Sequence, residues 1–205
     1  MITIEKAQIF NIEGALRGAR NPMNSWHLMD SYYDDAGEFV LGEKDRDLAG
    51  RLCAAGSDHR KFLRQILVCV DITAPLYWWK EYDTYKVATT ANSQSTMHKL
   101  HTRPIEEADF SIEMLADADR AAFFAYLSHL ENLRQKFVKT KEKDAWYALI
   151  QMLPASYNQL RTLTMNYENL ANMHHQRATH KLNEWRVFCE WIRTLPLTDL
   201  FIKPQ

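Results

Sequence analysis

Asn166, Asn172 and Arg177 are the residues whose types and spacing come nearest to a ligand site. Asn166 and Arg177 are eleven residues apart, so on one helix they share nearly one face, about 16 Å from end to end. Asn172 points well to the side. Polar groups that far apart cannot hold one small molecule. They can line an elongated ligand, or two ligands end to end. A purely structural reading competes with this. Asn166 would cap the helix, Asn172 would face solvent, and Arg177 would form a surface ion pair near the helix C-terminus. Spacing alone favours the structural reading.

Other polar clusters are less specific. His98, Lys99, His101 and Arg103 form a small basic group. They suit a solvated surface, or an anionic ligand such as a phosphate. His174, His175 and His180 suggest zinc, but adjacent histidines point about 100° apart on a helix. No i, i+4 histidine pair with a nearby carboxylate completes a ligand set, so no metal is expected. GxGxxG, P-loop, GxSxG and HExxH patterns are missing.

Composition bounds the rest. A chain of 205 residues with 46% hydrophobic and 25% charged residues fits one globular domain. The formal net charge of -1 gives no basic surplus for binding nucleic acid. No apolar run reaches the roughly 18–20 residues that span a bilayer, and the N-terminal residues lack a secretion-signal layout. Cys53, Cys69 and Cys189 are odd in number and widely spaced, which suits free thiols in a reducing cytoplasm. The many Trp, Tyr and Phe residues are expected to fill the core.

The elements that must position these residues are readable in part. Residues 3–12 alternate as a strand, while 13–44 carry scattered Gly, Pro, Asn and Asp and predict a long loop. Asp45 to Ala55 predicts a short helix closed by Gly56. Ile66 to Ile72, ILVCVDI, predicts a buried strand, with Pro75 in the first turn of the next helix. Asp117 or Asp119 is placed to cap a long helix burying Phe123, Leu127, Leu130, Leu133 and Phe137. A helix from Lys143 to Met152 stops before Pro154. Leu160 to Met165 predicts a strand, and Asn166 to Arg177 a helix. A final helix buries Trp185, Phe188, Trp191 or Ile192, and Leu195. The pattern is a single α+β domain, residues 1–205, with an antiparallel sheet packed by several helices.

Two segments, Ala74–His98 and Leu153–Glu184, resemble the flavin-dependent thymidylate synthases. Leu153 and Pro154 match the start of that family's later run, and Thr164, Asn166, Leu170 and Arg177 follow in register. Asn172 stands where some members have Asn. His180 and Glu184 match a closing His and Glu when one residue is removed. Upstream, Ala74-Pro75 resembles the opening of the family's motif helix, and His59 the family's His ahead of the strand. The resemblance spans about residues 57–195.

The first segment departs from the family. With one extra residue between Lys86 and Asn92, the family's Arg-His-Arg falls on Thr84, Tyr85 and Lys86. Asn92 and Ser95 match, while the motif Glu, Arg and Tyr become Ser93, Met97 and His98. Glu81 stands near a position that is often Gln. A hydrogen bond to a charged group is worth about 1.5–3 kcal/mol, so losing two or three phosphate-facing arginines removes roughly 3–9 kcal/mol. Lys86 restores charge but not a two-pronged contact. Lys99, Arg103 or Arg161 are nearby substitutes.

The resemblance implies a homotetramer with FAD bound between subunits. It also implies reductive methylation of deoxyuridine monophosphate, with carbon from methylenetetrahydrofolate and reducing power from NADPH through the flavin. Position by position, it places His59, Lys86, Asn92, Asn166 and Asn172 at the cofactor. Glu81, Thr84, Ser95 and Arg177 fall at the nucleotide. No catalytic side chain is assigned. Two alternatives stand beside this reading: a non-catalytic oligomeric homologue that binds or regulates, and an unrelated helical interaction domain.

Overall fold

The computed structural model describes residues 1–202. Its elements run β1 (Thr3–Phe10), α1 (Ile12–Ala19), β2 (Tyr32–Tyr33), β3 (Phe39–Val40), α2 (Glu43–Ala54) and β4 (Leu67–Pro75). They continue with α3 (Leu76–Tyr82), β5 (Thr90–Ser93), α4 (Asp117–Thr140), α5 (Lys143–Gln151), β6 (Asn158–Asn166), α6 (Tyr167–Arg177) and α7 (Asn183–Thr194). Four strands form an antiparallel sheet in the order β1-β4-β6-β5, and β2 pairs with β3 in a separate hairpin. The class is α+β.

Chain packing divides into two compact units. One comprises residues 1–3, 71–84 and 91–162; the other comprises 4–70, 85–90 and 163–205. The first unit has a core of Leu100, Ile105, Phe110, Ile112, Leu130, Leu149 and Tyr157. Helices α4 and α5 pack together in it. Leu130 alone is fully buried on α4, while Phe123, Leu127 and Leu133 are half-buried against that core. The expected cap residues shift inward. Ala116 occupies the N-cap, and Asp117 and Asp119 sit in the first turn, where their charge still complements the helix dipole. On α3, Trp78, Trp79 and Tyr82 are buried with ring centroids 4.8–5.4 Å apart. Pro75 stands one residue ahead of α3, at its N-cap.

The second unit buries Leu16, Leu63, Ile66, Tyr167, Leu170, Met173, Trp185, Phe188 and Ile192. Strand β4 shows why ILVCVDI is a strand: Val68, Val70, Ile72 and Ala74 alternate onto one buried face. In α7 it is Ile192, not Trp191, that is fully buried. Gly56 closes α2 with φ 105°, a conformation that disfavours residues bearing a Cβ.

Residues 13–44 correct the expectation of a long loop. Ile12, Ala15 and Leu16 bury one face of α1, although Gly14 and Gly18 lower its helical propensity. Beyond α1 the chain is tied to α2. Asp45, 1% exposed, accepts from Arg20 Nε at 2.7 Å, Ser31 Oγ at 2.6 Å and Ser31 N at 2.9 Å. Asp30 in turn accepts the first-turn N–H groups of Lys44 and Asp45 at 3.0 and 3.1 Å. Burial raises the Asp45 pKa, but the bonds from Ser31 and Arg20 outweigh it and hold the carboxyl below its ordinary value.

Candidate functional site

Helix α6 starts with a reciprocal cap. Asn166 Oδ1 accepts from Asn169 N at 2.9 Å, and Asn169 Oδ1 accepts from Asn166 N at 3.0 Å. The Asn166 side chain, in a residue 5% exposed, is therefore committed to the helix N-terminus. Within the same turn, Glu168 accepts both Arg60 Nε and an Arg60 terminal nitrogen at 3.0 Å. That nitrogen also reaches Oδ1 of the exposed Asn172 at 3.3 Å.

Arg177 closes α6 beside two aromatic rings. Its Nε donates to the Tyr85 hydroxyl at 2.9 Å, and that hydroxyl donates to Gln176 Oε1 at 2.9 Å. The guanidinium lies 4.9 Å from the Trp185 ring centroid and 5.7 Å from that of Tyr85, within cation–π range. His180 meets Trp185 edge-on at 6.3 Å. Asn169 Nδ2 donates to Val87 O at 2.9 Å, fixing the Tyr85–Thr90 segment to α6 a second time. Ala88 takes a left-handed φ of 57° there, and Thr89 Oγ1 bonds back to Tyr85 O at 2.5 Å. Lys86, between the two anchors, is exposed. His59 is exposed on the rim of a cleft of about 590 Å³ lined by Met23, Leu48, Leu52 and Phe62.

The remaining expected site residues belong to the other unit. Thr84 is exposed, and its hydroxyl and N–H both donate to Glu81 O, at 2.7 and 3.1 Å. Asn92 is exposed on β5. Ser95 Oγ accepts from His98 N at 2.9 Å and Met97 N at 3.3 Å, organising the turn after β5. Two of the nearby cations are engaged within this unit. Arg161 bonds Asp83 at 2.7 Å and Gln159 Oε1 at 2.9 Å and stacks 4.3 Å from Trp79. Arg103 is paired with Asp109. Among the described residues, no three His, Cys, Asp or Glu side chains gather as metal ligands.

Neither a protein-family model nor a curated protein matches this sequence. Solved structures do. A crystal structure of thymidylate synthase X from Helicobacter pylori with FAD and dUMP superposes with a TM-score of 0.72 at 18% identity, covering 98% of this chain and 97% of that one. A second, of the flavin-dependent thymidylate synthase from Helicobacter pylori complexed with FAD and dUMP, gives 0.69 at 19%, covering 96% and 98%. The fold is that of a flavin-dependent thymidylate synthase.

Within the flavin-dependent thymidylate synthase fold, this chain joins Tyr85 to Arg177 on α6. The sequence holds a signal for the pairing only in hindsight: a tyrosine at that position offers both an acceptor oxygen and an aromatic face to a guanidinium. Trp185 as the second face carried no separate signal.

Proposed function

We propose that this chain binds FAD, a pyrimidine nucleotide, or both. The observation that carries the reading is the Tyr85–Arg177–Trp185 cluster, which joins the two halves of the resemblance through residues 92 positions apart. The donor set fits such ligands. A guanidinium, an exposed lysine and exposed amides suit phosphate oxygens and the edges of a flat heterocycle. Lys86, His59, Asn92 and Asn172 are assigned to the cofactor, with Asn166 contributing by holding the first turn of α6. Arg177, Ser95, Thr84 and Glu81 are assigned to the nucleotide. Reduced flavin, when bound, supplies hydride. The chain's own task is to orient ligands and balance charge.

Thr84, Ser93 and Met97 stand where the family carries charge, so a second reading keeps weight: a non-catalytic homologue retaining the assembly. Homotetramer formation and use of methylenetetrahydrofolate and NADPH belong to the first reading. A cytoplasmic setting fits the three unpaired cysteines.

Titration with FAD, followed by flavin absorbance and by thermal shift with and without dUMP, tests the proposal. Saturable stabilisation is expected, and Arg177→Ala should weaken the nucleotide component about tenfold or more, from loss of a charged hydrogen bond. A folded wild type that neither FAD nor dUMP stabilises overturns the proposal and leaves the non-catalytic reading.

A further inference from the structure

Helix α6 buries a histidine that the candidate site does not use. Among the described residues, His174 Nε2 is closed off from solvent and has no hydrogen-bond partner. The histidine stands one turn before Arg177, on a helix that packs against α7. His174 O accepts Ala178 N at 3.1 Å, the bond that closes the last turn of α6 around Arg177. All of these residues belong to the unit that includes residues 163–205.

The charges around the ring do not welcome a proton. Arg193 and Glu190 bear on it from α7, and His175 from its own helix. Arg193 repels a charged imidazole, as does His175 once protonated. Glu190 attracts one, but its carboxylate is exposed and lies 3.6 Å from Arg193 Nε. The Lys61–Gln65 turn also packs on α6, with its Lys61 and Arg64 exposed. The buried Cys189 thiol of α7 stays neutral.

Protonation therefore changes what the packing must tolerate. A neutral ring can keep its single proton on Nδ1 and leave only a lone pair at Nε2. An imidazolium carries an N–H at both nitrogens, and a buried cation with an unmatched donor is costly. Burial accordingly holds the folded pKa below its ordinary value, and Arg193 adds to the fall. Water satisfies the new donor only when the ring leaves its enclosure. That movement shifts the end of α6 against α7, where the Arg177 guanidinium stacks 4.9 Å from the Trp185 ring centroid.

We propose that His174 is a pH-sensitive switch, through which mild acid parts the end of α6 from α7 and breaks the Arg177–Trp185 contact. The opening is a property of the free chain and needs no ligand. Its consequence for binding rests on the nucleotide reading above: a site that depends on Arg177 holds dUMP less tightly in acid than at neutral pH.

The experiment is hydrogen–deuterium exchange of the ligand-free chain at pH 7.5 and 5.5, corrected for intrinsic rates. An opened imidazole with the ordinary pKa of 6.5 takes up one proton across that window. The open population then rises about tenfold. Peptides covering 174–178 and 185–193 should exchange about tenfold faster at pH 5.5 in the wild type, while α2 stays protected at both pH values. The response should vanish in His174→Leu and persist in His175→Gln, which alters an exposed neighbour. Circular dichroism checks the fold of His174→Leu, and His174→Gln, which also cannot take the charge, replaces it if that fold is lost. Equal corrected exchange at the two pH values in the wild type, or an unchanged acid response without the histidine, overturns the switch. Titration with dUMP at both pH values then separates the switch from the nucleotide reading. The nucleotide phosphate itself titrates at about pH 6, so wild type and His174→Leu are compared at each pH. A steeper acid loss of affinity in the wild type supports the coupling, and equal losses overturn it while the nucleotide reading survives. An acid response in exchange with no dUMP binding at either pH leaves the switch standing and sinks the nucleotide reading.

Discussion

Two polar side chains of α6 show how burial sets what a residue does. Arg177 stacks on Tyr85 and Trp185, where ring faces replace part of its hydration. His174, one turn earlier, is 9% exposed, and among the described residues its Nε2 has no partner. Burial lowers the His174 pKa below the ordinary 6.5, and Arg193 pushes the same way, with Glu190 opposing and His175 adding to the fall. The unfolded chain therefore binds the proton more readily than the folded one. Stability is full above pH 6.5 and falls as pH drops from there toward the lower folded value. Denaturation midpoints measured between pH 7 and 5 should decline in the wild type and decline less in His174→Leu. Equal slopes in the two proteins would refute the assignment.

Helix α6 as an element depends on its first turn. Asn166 and Asn169 satisfy two N–H groups that no intrahelical carbonyl reaches, and Tyr167 N is taken by Ile66 O at 3.0 Å. The same helix buries Leu170, Met173 and His174 and carries Arg177 at its end, so fraying at the cap would loosen the candidate site. Asn166→Ala should cost about 1 kcal/mol, the usual worth of such a cap. The check is a urea midpoint that falls while the slope of the transition stays constant. A variant as stable as wild type would mean that tertiary packing alone holds the turn.

For the whole molecule, thiol chemistry reports which parts of the chain are closed. Cys53 and Cys189 are buried, and burial pushes their pKa values up to about 11 and about 12. Cys69, on β4, is partly accessible. Alkylation of the native protein at pH 8 should label Cys69 first, with Cys53 and Cys189 reacting only once denaturant unfolds the chain. Mass spectrometry of timed peptides reads this directly. Early labelling of Cys189 would show that the α6–α7 packing opens under native conditions.

The sequence by itself determined the elements whose side chains repeat with a period. Val68, Val70 and Ile72 alternate in β4, and α7 shows its apolar stripe, because burial on one face leaves a periodic trace in the chain. It did not reveal α1, whose two glycines mask the buried stripe of Ile12, Ala15 and Leu16. Nor did it reveal β5, a short polar edge strand with no apolar alternation. At the candidate site the residue types were legible, but their partners were not. The cap at Asn166 was one of the readings its spacing offered, and the structure bears it out; tertiary structure alone decided that Arg177 meets Tyr85 and Trp185. Such contacts join residues tens of positions apart through side-chain geometry, and no local period in the chain encodes them.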